Sequence, residues 1–154
     1  DYFTAATQAN LILAEFRAPY RGRSTPVNAW WGSFDLAVNL FSGRPADPPS
    51  PDFIMRNAMD SQEVAIGWWP GAAFYAYVHP AQPGFDEGSI SPAPGGWNSE
   101  LGEWVLDWDV VRNADDPKEA ALKFARAVFS RACDVCDWDE GLASSAHGDP
   151  PPVR

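Results

Sequence analysis

The chain has 154 residues, 45% of them hydrophobic, with eight Trp, 15 Pro and a formal net charge of -10. That length fits one domain able to bury about 70% of the surface its unfolded chain exposes, and the composition excludes intrinsic disorder. The acidity excludes nucleic acid and an anionic membrane surface as partners, because both demand a dense basic face.

Residues 2–18 place Phe3, Ala6, Leu13 and Phe16 near one helical face, widened by Leu11 and Ile12, and the helix stops before Pro19. A loop follows through Tyr20, Gly22 and Pro26. Over 27–41 the period becomes two: Phe34, Leu36, Val38 and Leu40 alternate with Trp31, Ser33, Asp35, Ala37 and Asn39. This pattern predicts one strand with an apolar face and a mixed face. The Pro-rich stretch to Pro51 is a loop, and 53–59 a short helix. Segments 63–69 and 73–79 are strands joined by a Pro70-Gly71 turn. Residues 80–99, rich in Pro and Gly, are loop, and 103–108 a further strand. Asp116-Pro117-Lys118-Glu119 opens the last helix with a cap, a Pro at the first position and an acid in the first turn. Ala121, Leu122, Ala125, Val128, Phe129, Ala132 and Cys136 form its buried stripe. The expectation is an α+β fold over 1–142, an antiparallel sheet with an N-terminal and a C-terminal helix packed on one side, and a Pro-rich mobile tail over 143–154.

No apolar run approaches the roughly 18 residues of a membrane-spanning helix. A basic segment followed by an apolar stretch is likewise missing from the N-terminus, so no uncleaved signal peptide is read there. The start at Asp1, without a Met and inside a predicted helix, is read as a chain with a missing upstream segment. With Cys133 and Cys136 as its only cysteines, the chain has no disulfide framework, and a cytoplasmic location is expected.

A carboxylate–phenol pocket is the leading chemical reading. Asp35 lies on the mixed face beside Ser33 and Asn39, while Tyr75, Tyr77 and His79 share one face of a neighbouring strand and Glu63 opens another. Aromatic walls would come from Trp30 or Trp31. In such a pocket Asp35 or Glu63 serves as base and Tyr75 or His79 as acid. The plainer alternative is that Asp35 caps a neighbouring backbone group and the tyrosine hydroxyls reach the surface.

Arg21, Arg23 and Arg44, with Arg17, Ser24 and Thr25, form an anion-binding candidate against the alternative of a solvated rim. Cys133-Asp134-Val135-Cys136 resembles a redox or zinc motif, yet it sits at a helix C-terminus, where the dipole disfavours a thiolate; buried small hydrophobes fit better. His147 is the only imidazole near it, so neither a metal nor a cofactor is expected. Trp30-Trp31 and Trp68-Trp69 are each read as sending one ring to either sheet face, with exposed members available to a partner.

Three runs carry a family resemblance. The first extends from Gly22-Arg23-Ser24-Thr25-Pro26-Val27-Asn28-Ala29-Trp30-Trp31-Gly32-Ser33-Phe34-Asp35 to Phe41-Ser42-Gly43-Arg44. The second is Glu63-Val64 with Gly67-Trp68-Trp69-Pro70-Gly71, and the third Phe74-Tyr75-Ala76-Tyr77 with Pro83-Gly84-Phe85. Together they resemble an uncharacterised bacterial domain-of-unknown-function family (DUF5996-like) over nearly the whole chain. The resemblance implies a longer protein of two pseudo-repeats, of which this chain is similar to the second. It also implies His where this chain has Asn28 and Gln62, and Lys where it has Arg23; Asn and Gln cannot titrate near neutrality.

Three functions remain open. The chain is half of a small-molecule-binding protein or enzyme, its pocket shared with a second polypeptide equivalent to the family's N-terminal half. Alternatively it is a non-catalytic accessory subunit, or a free-standing ligand-binding domain.

Overall fold

The computed structural model describes residues 2–145. Helix α1 (Tyr2–Arg17) turns Ala9, Ile12, Leu13 and Phe16 inward at three- and four-residue spacing. Phe3 and Leu11, assigned above to the apolar face, point to solvent instead. The buried stripe is therefore narrower than the run of apolar residues implies.

The predicted strand over 27–41 is two strands. β1 (Asn28–Ala29) folds back on β2 (Leu36–Pro45), with Asn28 opposite Ala37. Between them Trp30 N–H donates to Asp35 and Phe34 N–H to Trp30, while Gly32 has φ 106° and Phe34 φ 55°. Both hairpin arms alternate with period two, so the reversal at Trp31-Gly32-Ser33 was invisible to periodicity. Trp30 and Trp31 consequently occupy an exposed turn and do not flank a sheet.

After α2 (Phe53–Ala58), capped by Asp52, the strands β3 (Ser61–Trp69) and β4 (Ala73–His79) form the predicted hairpin through Pro70-Gly71. β5 (Gly96–Asn98) arises within the predicted loop and pairs with β6 (Glu103–Asp107). α3 (Trp108–Arg112) begins where the strand was expected to continue. α4 (Pro117–Val135) has the predicted start, the Asp116 carboxylate accepting from Glu119 N–H at 3.0 Å. α5 (Glu140–Ala143) runs into the segment expected to be tail, and Ser145 is buried against Arg21 N–H. The remainder of that expected tail, 146–154, lies outside the described residues.

The sheet is six-stranded and antiparallel, in the order β1-β2-β3-β4-β6-β5. α1 and α4 pack on one of its faces, so the fold is α+β with helices on one side. Alternation sends Val38, Leu40, Val64, Ile66, Trp68, Phe74, Ala76, Val78, Trp104 and Leu106 into that core, where Leu122, Phe124, Val128 and Phe129 of α4 meet them. Arg131 fastens the connection before β5: its guanidinium donates to the carbonyls of Gly84, Phe85 and Glu87 and lies 5.4 Å from the Trp104 ring centroid. No described helix is long and apolar enough to cross a membrane.

Candidate functional site

Residues of the opposite parity form the other sheet face. Register aligns Asn28, Ala37, Gly67, Tyr75 and Val105 in one row across the strands. Asn39, Ala65 and Tyr77 form the next row, and Phe41, Glu63 and His79 a third. Glu103, two residues from Val105, has the same parity. The small side chains in the middle of β3, Ala65 and Gly67, make a shallow floor on which larger neighbours can lie flat.

Tyr75 uses that floor. A Cβ on Gly67 would sit 2.3 Å from the Tyr75 ring, so only glycine leaves room for the ring to lean over β3. Its hydroxyl thereby reaches Asp35 and donates to Oδ2, while Ser33 Oγ donates to Oδ1. Trp69 stacks on the Tyr75 ring at 4.5 Å and Tyr77 lies parallel to it at 6.5 Å. Burial, then the Asp35 bond and charge, pushes the Tyr75 phenol strongly upward, which keeps it protonated. Asp35 thus has both oxygens engaged. Its position makes it an orienting group for Tyr75.

Glu63 is placed differently. It is 2% exposed; Oε1 accepts from Asn39 Nδ2 at 3.0 Å, and Oε2 has no partner. Burial raises its pKa to about 7, opposed by the Asn39 bond and reinforced by Asp60. Asn39, 8% exposed, has an unpartnered Oδ1 as well. Glu103, missed in the sequence because it reads only as a strand start, joins the cluster: Oε2 is buried and unpartnered, and burial with Asp35 lifts its pKa to about 7. Tyr77 stands between, its phenol pushed up to about 12 by burial and then by Glu63, Glu103 and Asp35. His79 is drawn off to one end, where Nε2 donates to the Met59 carbonyl at 3.0 Å.

The face thus brings together Asp35, Ser33, Asn39, Glu63, Tyr75 and Tyr77 from the sequence reading. Trp30 and Trp31 lie in the exposed turn that precedes Asp35. The larger cavities, of about 520 Å³ beside α4 and about 410 Å³ beside Phe85, are lined by other residues, and the cluster itself is closely packed, with Asn39, Glu63 and Tyr75 buried.

The arginine cluster does not assemble into one cradle. Arg17 donates to Ser24 Oγ, Arg23 stacks on Phe41 at 5.6 Å, and Arg44 donates to the carbonyls of Cys136 and Asp137 beyond α4. Arg44 there satisfies carbonyls left free at a helix C-terminus. Cys133 and Cys136 are buried free thiols, both pushed upward by burial, Cys136 to about 11. Both therefore pack as thiols. His147 lies outside the described residues. Among the described residues, no group of three or more His, Cys, Asp or Glu is disposed to hold a metal ion. The positions where histidines were expected lie on opposite faces: Asn28 shares the cluster's face with Ala37, while Gln62 has the parity of Val64 and Ile66.

The profile of the family of unknown function (DUF5996) matches residues 1–145, and the chain belongs to that family. No curated protein and no solved structure matches it.

Proposed function

We propose that the chain is a small-molecule-binding domain whose site is the sheet face opposite the helices, centred on Glu63, Tyr75, Tyr77 and Glu103. The observation that carries this reading is the gathering on one face of three buried acceptors without partners, Asn39 Oδ1, Glu63 Oε2 and Glu103 Oε2. Burying such an atom unpaired costs roughly 1–3 kcal/mol, which a ligand supplying donors recovers. The face also holds a carboxyl group that exchanges its proton near neutrality, Glu63, beside a phenol oriented by Asp35. These are the parts of a general acid–base site, and they make an enzyme the natural extension of a binding domain.

Native mass spectrometry of the chain purified from the cells that make it tests the reading. A bound small molecule that is lost in Glu63→Gln supports it. A bare chain, together with no thermal shift in a screen of diverse small molecules, refutes it.

A second reading is favoured by the exposed turn before β2. Trp31 is 92% exposed, next to the exposed Phe34 and Trp30. Such rings are favoured at interfaces, and a second polypeptide equivalent to the family's N-terminal half would close the site from that side. Co-purification of that polypeptide, abolished by Trp31→Ala, distinguishes the shared site from a free-standing one.

A further inference from the structure

The sheet face opposite the helices has more unpartnered acceptors than free donors, and that imbalance specifies a class of ligand. We infer that it takes an organic cation carrying several N–H groups, a guanidinium or primary ammonium, held by Glu63 and Glu103 with Tyr77 between them. This inference rests on that face being the ligand site.

Three carboxyl groups, Asp35, Glu63 and Glu103, gather around Tyr75 and Tyr77, and none of the ion pairs among the described residues includes them. Arg23 stacks on Phe41 in the same cross-strand row as Glu63 but makes no ion pair with it. Most hydrogen-bond donors native to the face are already engaged, Ser33 and Tyr75 on Asp35 and Asn39 Nδ2 on Glu63, which leaves the protonated Tyr77 hydroxyl. Against it stand the unpartnered oxygens of Asn39, Glu63 and Glu103, which accept. The first two of these oxygens belong to side chains more than nine-tenths buried. Sugar hydroxyls both donate and accept, and beyond the Tyr77 hydroxyl the cluster supplies little to donate to their lone pairs. An N–H cation only donates, and its bonds to carboxylates are charge-assisted. The parallel Tyr75 and Tyr77 rings and the stacked Trp69 add aromatic surface suited to such a charge.

The groups facing Glu63 fix the pH behaviour. They are Asn39 from β2, Tyr77 and His79 from β4, and Asp60 preceding β3. A cation selects the ionised carboxyl, so binding releases a proton where Glu63 is protonated and tightens as pH rises through 7.

Agmatine, which carries a guanidinium and an ammonium, is the probe, titrated calorimetrically into the whole chain beside tetramethylammonium and glucose. Agmatine is expected to bind at least about tenfold tighter near pH 8 than near pH 6, about tenfold for each carboxyl that ionises. Glu63→Gln or Glu103→Gln should each weaken it by about tenfold or more. The second variant lies at a strand end, so it reports even if the first fails to fold. Equal binding of tetramethylammonium, or agmatine binding indifferent to pH and to both variants, overturns the inference. Glucose binding without agmatine binding overturns the cation class and leaves the face as a ligand site. Binding of none of the three, with no adduct in native mass spectrometry, overturns both.

Discussion

Tyr75 lies across Gly67, its cross-strand partner, and the missing side chain of that glycine lets the phenol reach Asp35 two strands away. Local strand geometry alone would leave Tyr75 standing away from the sheet. The glycine converts it into a bridge from β4 to the turn before β2.

Gly67→Ala should therefore cost about 1–3 kcal/mol, because the added methyl displaces a ring held by Asp35 and Trp69. In a Tyr75→Ala background the same change should cost little, since its clash partner is gone. Urea denaturation of the four chains measures the coupling, and equal costs in both backgrounds would disprove the bridge.

The raised carboxyl at Glu63 has a definite consequence for stability. Its folded pKa, about 7, exceeds the ordinary glutamate value of 4.5, so between those values the folded chain holds more protons than the unfolded one. Stability must then fall as pH rises through that window, by up to about 3 kcal/mol for this group, and Glu103 acts with the same sign. Glu63→Gln should flatten the fall and stabilise the chain near pH 8. Unfolding curves at a series of pH values decide it; stability that rises from pH 5 to pH 8 in the wild type contradicts the assignment.

Arg131 holds three backbone carbonyls of the segment preceding β5 with one planar fork. Lysine keeps the charge but cannot span them, so Arg131→Lys should lose about 1–3 kcal/mol. Amide hydrogen exchange should speed up locally around Phe85 and Glu87. A loss spread evenly over the chain would point elsewhere.

Trp31→Ala should leave thermal stability within about 0.5 kcal/mol of wild type, because the ring makes little of the core. A larger loss in differential scanning calorimetry would show that the turn is packed, against its exposure.

Much of the architecture was legible from local signals. The Asp116 cap, the Pro70-Gly71 turn and the stripe from Ala121 to Phe129 each state a local rule, and each rule held. The hairpin within 27–41 escaped because both arms alternate with the same period, so only pairing distinguishes one strand from two. β5 escaped for a related reason: Gly96–Asn98 is too short to show a period and exists by pairing with β6.

By itself the sequence determined the α+β class, the order of the long elements and the alternation that places Tyr75, Tyr77 and Glu63 away from the core, because these follow from dihedral preference and period. It also placed Asp35 with Tyr75 as candidates. Tertiary structure alone decided that Asp35 is engaged by two hydroxyls, that Glu103 belongs to the cluster and that the arginines serve separate contacts. It decided, too, that Asn28 and Gln62 face opposite sides of the sheet. Those outcomes depend on strand order and register, which bring together residues distant in the chain, and no local propensity encodes which partner a strand edge will find.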